Sequence, residues 1–88
     1  MKKPRVLERY FKGVANHRRI EILQLVHKHG DLSLEEIANR LGCNMKTISV
    51  HTIRLVHAGL LNKKYQGVSV IHSISPYGFK MIETFKLF

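Results

Sequence analysis

Residues 34–61, LEEIANRLGCNMKTISVHTIRLVHAGLL, decide the fold that this sequence predicts. Ser33 comes directly before the stretch, and Glu36 follows it three residues later, so the two form a capping box that begins a helix near Leu34. Apolar side chains recur on one face of this helix at Leu34, Ile37, Ala38 and Leu41. Gly42 can adopt the left-handed conformation that ends it. The first helix of the stretch therefore spans about residues 34–41.

A second helix follows after only three residues. Asn44 is a favourable N-cap, and helical spacing continues from it to about Ala58. The face predicted to be buried comprises Ile48, Thr52, Leu55 and Gly59. A connection as short as residues 42–44, with a glycine in it, is typical of a helix-turn-helix, in which the two helices cross steeply. A straight hairpin of helices is disfavoured.

Two more helices are predicted before this stretch. The first spans about Arg5–Lys12 and is weakened by Gly13. Asn16 can cap the second, which runs to about His29 and is apolar over more than half of its circumference, as expected for the centre of a fold. Gly30 is the predicted left-handed cap of that helix.

The chain after residue 61 changes character. Asn62–Ser75 is rich in β-branched residues that alternate around a predicted turn at Gln66–Gly67, which indicates a small β-hairpin. Ser75 and Pro76 then provide the N-cap and first position of a last helix that runs to about Leu87. The predicted order is α-α-α-α-β-β-α. This is a mainly α fold with a small β-hairpin, and residues 1–88 are expected to form one domain.

Charge indicates the class of partner. Fifteen Lys and Arg residues against six Asp and Glu give a net charge of +9, so a nucleic acid is the expected partner. An anionic membrane surface would also suit this charge, but no apolar run approaches the roughly eighteen residues of a spanning helix. The first ten residues lack the apolar region of a secretory signal. We expect a cytoplasmic protein with no membrane partner.

A helix-turn-helix followed directly by a hairpin is the winged-helix arrangement. Two stretches of the sequence are similar to one family that has this arrangement. Residues 11–23, FKGVANHRRIEIL, are similar to the F-K-A-L-A-D-P-T-R-L-x-I-L opening of the ArsR-type repressors. Residues 47–61 are similar to the T-V-S-x-H-L-x-x-L-x-x-A-G-L-V recognition helix of that family. The chain therefore resembles the ArsR-type winged helix-turn-helix regulators. Because the wider superfamily shares the Ala-Gly-Leu ending, MarR-like or other archaeal relatives are the alternatives.

This resemblance implies a transcriptional regulator, in most such proteins a repressor, that binds double-stranded DNA sequence-specifically as a homodimer. Each subunit would lay its recognition helix into the major groove and touch flanking phosphates with the hairpin, or wing. Lys46, Thr47 and Arg54 can donate to bases or phosphates, and Val50 could contact a thymine methyl group. The side chains predicted to bind DNA are Asn44, Lys46, Thr47, Ser49, Val50, His51, Arg54, Lys63 and Lys64.

Departures from the family pattern keep alternatives open. Val50 and Ile53 stand where the family commonly has polar or basic residues, and Thr52 stands where it has a core leucine. An exposed apolar pair at 50 and 53 would also suit a winged-helix protein-interaction module without specific DNA readout. A salt-sensitive gel shift with random duplex DNA would separate the two functions.

Basic residues outside the recognition helix have two interpretations each. Strand alternation places Lys64 on one side of the hairpin and Lys63 with Tyr65 on the other, where the lysines could contact phosphate or could simply blunt an exposed sheet edge. Arg18 and Arg19 begin a helix, where cations oppose the helix dipole, so phosphate contact would explain their position. Ordinary solvated charge is the alternative.

The six histidines raise the hypothesis of a metal sensor, because metal sensing is common in the family that the chain resembles. Spacing argues against it, since His27 and His29 point to different sides of one helix while His51 and His57 lie on another. Residues 34–36, Leu-Glu-Glu, occupy the place of the paired-cysteine motif of many metal-sensing relatives. We expect no metal and no cofactor.

Catalysis is not expected, because the sequence has no glycine-rich phosphate loop and no nucleophile with a recognisable base. Cys43 is the only cysteine, which excludes an internal disulfide. It could be a thiol sensor, although a small buried residue is the commoner role of a free cysteine.

The terminal helices carry more apolar surface than one small core is expected to cover, which predicts a homodimer. On the last helix, Phe79, Ile82 and Phe85 are expected to pack inward, leaving Met81 and Phe88 for a second subunit. The predicted dimerisation residues are Leu7, Tyr10, Phe11, Met81, Ile82, Phe85 and Phe88. In the alternative, the last helix covers its own core and the protein is monomeric.

Overall fold

The computed structural model describes residues 1–88 and contains five helices and a three-stranded antiparallel sheet. In chain order these are α1 (Pro4–Val14), α2 (His17–His29), β1 (Leu32–Ser33), α3 (Leu34–Leu41), α4 (Met45–His57), β2 (Leu61–Gln66), β3 (Ser69–Ile74) and α5 (Pro76–Phe85). The predicted winged helix-turn-helix is confirmed, with one short strand added. No helix is both long enough and apolar enough to span a membrane.

Local capping fixes where the helices begin. The predicted capping box is present, because the Ser33 hydroxyl accepts from the Glu36 N–H at 3.1 Å and the Glu36 carboxylate accepts from the Ser33 N–H at 3.0 Å. Asn16, Asn44 and Ser75 also accept backbone N–H groups of the helices that they precede. Gly42 adopts the left-handed conformation at the end of α3. The turn between α3 and α4 is therefore the one predicted.

Gly13 does not end α1, which is longer than predicted at both ends and runs from Pro4 to Val14. This glycine is buried inside the last turn, where a Cβ atom would collide with the Cβ of Ala58. Gly13 is thus the point at which α1 approaches the end of α4 most closely. Glycine has a low helix propensity, but the close packing of α1 on α4 requires a residue without a side chain at this position.

Gly30 has the predicted positive φ of 81°, but its ψ of −147° lies outside the left-handed helical region. The chain leaves α2 in an extended direction and forms β1, which the sequence did not predict. In that strand Leu32 pairs with His72 and Ser33 with Ile71 of β3. A strand of two residues forms only by pairing with a strand that is distant in sequence, so no local sequence pattern predicts it.

The hairpin turn lies one residue later than predicted. Gln66 pairs with Ser69, which leaves Gly67 and Val68 as the two loop residues. Gly67 has a φ of 63°, as a two-residue hairpin loop with glycine in its first position requires. Strand order is β1-β3-β2, so β2 is an edge of the sheet.

The core lies between α2, α3, α4 and the sheet, with α5 closing one side. Its fully buried large side chains are Ile22, Leu23, Val26, Ile37, Ile48, Thr52, Leu55, Leu60 and Leu61. Burial of each such aliphatic side chain contributes about 1.5–3 kcal/mol of transfer free energy. Thr52 satisfies its hydroxyl by donating to the Ser49 carbonyl at 3.0 Å, which explains how it replaces a leucine there.

The predicted inward orientation on α5 is correct for Ile82 and Phe85, but it is wrong for Phe79, and Met81 points inward instead of outward. Met81 is 6% exposed and belongs to the core, whereas Phe79 is 47% exposed. Gly78 packs so closely on the Leu60 carbonyl that no side chain would fit, and this contact turns the 78, 81 and 82 positions inward. The helix also ends at Phe85, two residues earlier than predicted.

Ser75 connects the end of α4 to the start of α5. Its hydroxyl donates to the Gly59 carbonyl at 2.6 Å, just beyond the end of α4, and accepts from the Gly78 N–H at 2.9 Å in the first turn of α5. Its backbone N–H donates to the Leu60 carbonyl at 3.3 Å. The start of α5 is therefore held directly against the end of α4.

Candidate nucleic-acid interface

Helix α4 presents one exposed face opposite its buried Ile48, Thr52 and Leu55. Exposed side chains on this helix include Lys46, Thr47, Val50, Ile53, Arg54 and His57. Asn44, also exposed, is engaged as the N-cap, since its Oδ1 accepts from the Thr47 N–H at 2.8 Å. The exposed face therefore combines cationic donors with two half-exposed aliphatic side chains.

Ser49 and His51 lie at the sides of α4. Ser49 is half-buried and lines a cleft between α4 and the hairpin. His51 is half-buried on the other side, and its Nδ1 has no hydrogen-bond partner. Burial and then the positive charges of Arg19 and Arg18 lower the pKa of His51, which favours a neutral imidazole. These two predicted contacts are thus less exposed than Lys46 or Arg54.

A cationic cleft of about 600 Å³ lies where α1 and α2 meet α4. Its basic lining comes from three helices and comprises Arg9, Lys12, Arg19, Arg54 and His57. Val50 and Ile53 contribute its apolar part, with Gly13 and Ala58 at the helix contact. No carboxylate lines it. Arg9 and Lys12 are not among the residues predicted from the sequence, although Gly13 in a helix was the available signal of a close approach between helices.

Arg18 and Arg19 have different surroundings. Arg18 donates to the Glu21 carboxylate at 3.2 Å, so its charge is paired. Arg19 lines the cationic cleft, and its Nε is buried without a partner. Of the two, Arg19 is the one placed to meet an anion.

Acidic residues are missing from α4 and from the hairpin, whereas on α1 the Lys12 Nζ lies 3.6 Å from the Glu8 carboxylate. No Asp or Glu occurs between Glu36 and Glu83, a span that includes α4 and the hairpin. A polyanion approaching α4 and the hairpin therefore meets no carboxylate on either element.

The hairpin carries Lys63 and Lys64 on its edge strand, both exposed. Lys63 and Tyr65 face the cleft beside α4, and the Lys63 Nζ lies 5.7 Å from the Tyr65 ring centroid. Lys64 does not line that cleft, in agreement with the predicted alternation. Because β2 is an edge strand, both interpretations of these lysines, phosphate contact and protection of the edge, fit the geometry.

Other candidate chemistry has little geometric support. No group of three or more His, Cys, Asp or Glu side chains is arranged to hold a metal ion. Cys43 is half-buried and packs against the core, and its Sγ donates to the Leu41 carbonyl at 3.5 Å.

An apolar groove of about 230 Å³ lies on the opposite flank, between α1 and α5. Its apolar lining is Leu7, Tyr10, Phe11, Tyr77 and Met81. The rings of Tyr10 and Tyr77 stack with centroids 4.8 Å apart. Of the predicted dimerisation residues, Tyr10, Met81 and Ile82 are buried within the single chain, Leu7 and Phe85 are half-buried, and Phe11 and Phe88 are exposed.

Comparisons with known proteins agree with this architecture. The family model HVO_A0114 matches residues 14–77, and no curated protein matches the chain by sequence. HlyU from Vibrio cholerae N16961 is similar with a TM-score of 0.86 and 29% identity, over 97% of this chain and 94% of that chain.

Two further solved structures extend the similarity. The homodimeric winged helix-turn-helix DNA-binding domain Mb0332 from Mycobacterium bovis, a possible ArsR-family transcriptional regulator, has a TM-score of 0.79 and 27% identity, over 92% of this chain and 78% of that chain. The ArsR family transcriptional regulator RHA00566 shares the fold with a TM-score of 0.79 at 20% identity, over 98% of this chain and 88% of that chain.

The similar structure of Mb0332 is described as a winged helix-turn-helix DNA-binding domain. The chain belongs to the HVO_A0114 family and has the winged helix-turn-helix fold of the ArsR-type transcriptional regulators.

Proposed function

We propose that the protein is a transcriptional regulator that binds double-stranded DNA sequence-specifically through α4. The observation that carries this proposal is the exposed face of α4 beside the cationic cleft, with no carboxylate on α4, on the hairpin or in the cleft lining. Lys46 and Arg54 would donate to base edges, while Arg19 and Lys63 would contact backbone phosphates on either side. The likeness to HlyU and to the Mb0332 DNA-binding domain supports the same function.

We further propose that the working form is a homodimer built on α1 and α5. The apolar groove between these helices, with exposed Phe11 and Phe88 nearby, leaves surface that a second subunit would cover. Mb0332 is described as homodimeric. An isologous interface would place two α4 helices about 34–36 Å apart and would select a pseudo-palindromic site.

Repression is the mode of action that we infer. A dimer bound across a promoter would block other proteins from the same DNA without needing any further contact. Activation would require an additional surface for a partner protein.

A protein-interaction module is the second candidate, because Val50 and Ile53 are 52% and 45% exposed on the face where a DNA-binding helix usually carries polar groups. The two functions differ in their response to salt. Counterion release makes DNA binding fall steeply as salt rises, whereas an apolar protein contact responds weakly.

The test is a gel shift with random duplex DNA at a series of salt concentrations, followed by selection of bound sequences from the random pool. We expect binding that weakens steeply with salt and a selected pool that converges on one inverted repeat. Absence of binding at low salt would reject DNA binding and favour the interaction module. Binding without convergence would reject sequence specificity alone.

A further inference from the structure

Val50 and Ile53 form a continuous apolar patch in the middle of the proposed DNA-binding face. Residues three apart on a helix are surface neighbours, and both side chains are about half exposed. Both are β-branched and therefore stiff at χ1, so they present their methyl groups in a fixed direction. Neither side chain can make a hydrogen bond.

Charge around the patch indicates the chemistry of its partner. Both residues line the cationic cleft, whose other side chains include Arg9, Arg19 and Arg54. Lys46 is exposed in the first turn of the same helix. A purely apolar protein surface would have to desolvate these cations without pairing them, which is costly, whereas a DNA groove supplies phosphates for them. Charge complementarity therefore selects nucleic acid as the occupant.

Major-groove edges offer an aliphatic side chain a single favourable feature. The base edges carry hydrogen-bond donors and acceptors, except for the methyl group at C5 of thymine. A 5-methylcytosine base carries the same group at the same place. An aliphatic side chain held against an unmethylated cytosine or a purine edge would instead bury polar groups without partners.

We propose, on the basis of the proposed DNA binding, that Val50 and Ile53 are specificity-determining residues that recognise pyrimidine C5-methyl groups in the major groove. Lys46 and Arg54 then supply donors on either side of the patch. Sequences that place a methylated pyrimidine opposite the patch are bound more tightly than those that do not.

The test uses duplexes recovered by the wild-type protein from a random pool, with uracil in place of every thymine. This substitution removes methyl groups and keeps all hydrogen-bonding groups. We expect about four-fold weaker binding for each contacted methyl, which is the loss of about one buried methylene-sized group. Val50→Ala and Ile53→Ala should each reduce the thymine-to-uracil ratio toward one.

Val68→Ala is the matched control, because Val68 is a fully exposed valine at the tip of the hairpin. We expect it to keep the wild-type thymine-to-uracil ratio even if overall affinity changes. Equal binding of thymine and uracil duplexes by the wild type would overturn the inference and leave DNA binding intact. An undiminished ratio in both Val50→Ala and Ile53→Ala would overturn it too, since methyl groups would then act through DNA shape.

A second arm distinguishes the two sources of the methyl group. Each T·A pair whose uracil substitution weakens binding is exchanged for a C·G pair, and the resulting duplexes are prepared with cytosine and with 5-methylcytosine at that position. Tighter binding by the wild type, lost in Val50→Ala, supports methylated cytosine as a ligand, and unchanged binding overturns that part and leaves thymine. Failure of the wild type to bind any duplex would overturn the proposed function together with the inference.

Discussion

At the scale of single residues, Lys46 and Arg54 bracket the apolar patch of α4 and are separated by about 12 Å along the helix axis. Both are exposed, and neither belongs to an ion pair within the chain. Because no ion pair within the chain has to break first, these two donors on α4 bind DNA at the smallest electrostatic cost.

We expect Lys46→Ala and Arg54→Ala each to weaken binding to the selected duplex by about 1–3 kcal/mol, the value of a good base contact. The measurement is a gel-shift titration at fixed salt. Lys3→Ala in the exposed N-terminal segment is the control and should have a much smaller effect. Lys2 is less suitable, because its Nζ lies 5.0 Å from the Tyr77 ring beside the proposed dimer groove. Equal losses from all three variants would contradict the role given to α4.

His72 makes stability depend on pH. It is 3% exposed, its Nδ1 has no partner, and burial lowers its pKa from 6.5. The unfolded chain therefore takes up a proton that the folded chain resists as the pH falls through about 6.5, so the free energy of unfolding decreases toward acid. His51 adds a contribution of the same sign, since its pKa is lowered as well.

We expect urea denaturation to show a lower free energy of unfolding at pH 5.5 than at pH 7.5, and His72→Leu to reduce that difference. The leucine removes the buried proton site and keeps an apolar side chain of similar bulk. Gln24→Leu, at an exposed position of α2 that carries no titratable group, is the control and should keep the wild-type difference. A His72→Leu variant with the full wild-type pH dependence would show that another group is responsible.

At the scale of elements, the packing of α1 on α4 depends on the pair Gly13 and Ala58. We expect Gly13→Ala to destabilise the fold by about 1–3 kcal/mol through overpacking. Adding Ala58→Gly to the same chain should restore part of that loss, because it removes the atom with which the new methyl collides. Thermal or urea denaturation of the two single variants and the double variant measures the coupling. Purely additive effects would show that the two helices do not meet there.

The hairpin gives a prediction about salt. If Lys63 and Lys64 contact phosphates, Lys63→Ala with Lys64→Ala should weaken binding similarly for all sequences and reduce the salt slope by about one to two units. The control is Lys3→Ala with Lys28→Ala, two exposed lysines outside the recognition helix, the hairpin and the groove between α1 and α5. A salt slope unchanged by the hairpin variant would leave protection of the sheet edge as the role of these lysines.

Helix boundaries that depend on residues close in sequence could be predicted from the sequence. Ser33 with Glu36, and Asn44 before α4, define helix starts through hydrogen bonds made within three residues. β1 was not predictable, because it forms only by pairing with a distant strand. The face that α5 buries was not predictable either, because it depends on the contact of Gly78 with the Leu60 carbonyl.

The residues of the candidate site also fall into those that local sequence predicts and those that tertiary packing adds. The exposed face of α4 follows from helical periodicity, so Lys46, Val50 and Arg54 could be named from sequence. The contribution of Arg9 and Lys12 arises only when α1 packs on α4, and Gly13 was its one local signal in the sequence. Tertiary contact, rather than any local pattern, creates the cationic cleft.

At the scale of the whole molecule, one chain measures 39 × 25 × 20 Å and presents a single α4. Recognition of two half-sites one turn of DNA apart therefore requires two chains. The groove between α1 and α5 is where we place their contact. Because Met81 and Ile82 belong to the core of the single chain, removal of α5 would damage the fold, and point variants are the cleaner test.

We expect sedimentation equilibrium to show a dimer for the wild type and a dimer dissociation constant about ten-fold or more higher for Phe11→Ser. The reason is that Phe11, 52% exposed in the single chain, would be covered by the partner. Tyr65→Ser, which removes an exposed aromatic ring from the hairpin, is the control and should dimerise normally. A wild type that stays monomeric at high concentration would exclude the dimer, and equal weakening by both variants would exclude this interface.

The two hydrogen bonds of the Ser75 hydroxyl act mechanically as a pivot between the end of α4 and the start of α5. Because these bonds hold the two helix ends together, we expect a tilt of α5 to move the helix that the proposed function places in the major groove. If the proposed dimer binds DNA, operator binding and subunit pairing then strengthen or weaken each other by equal amounts of free energy. A spacer of the wrong length between half-sites would accordingly loosen the dimer itself.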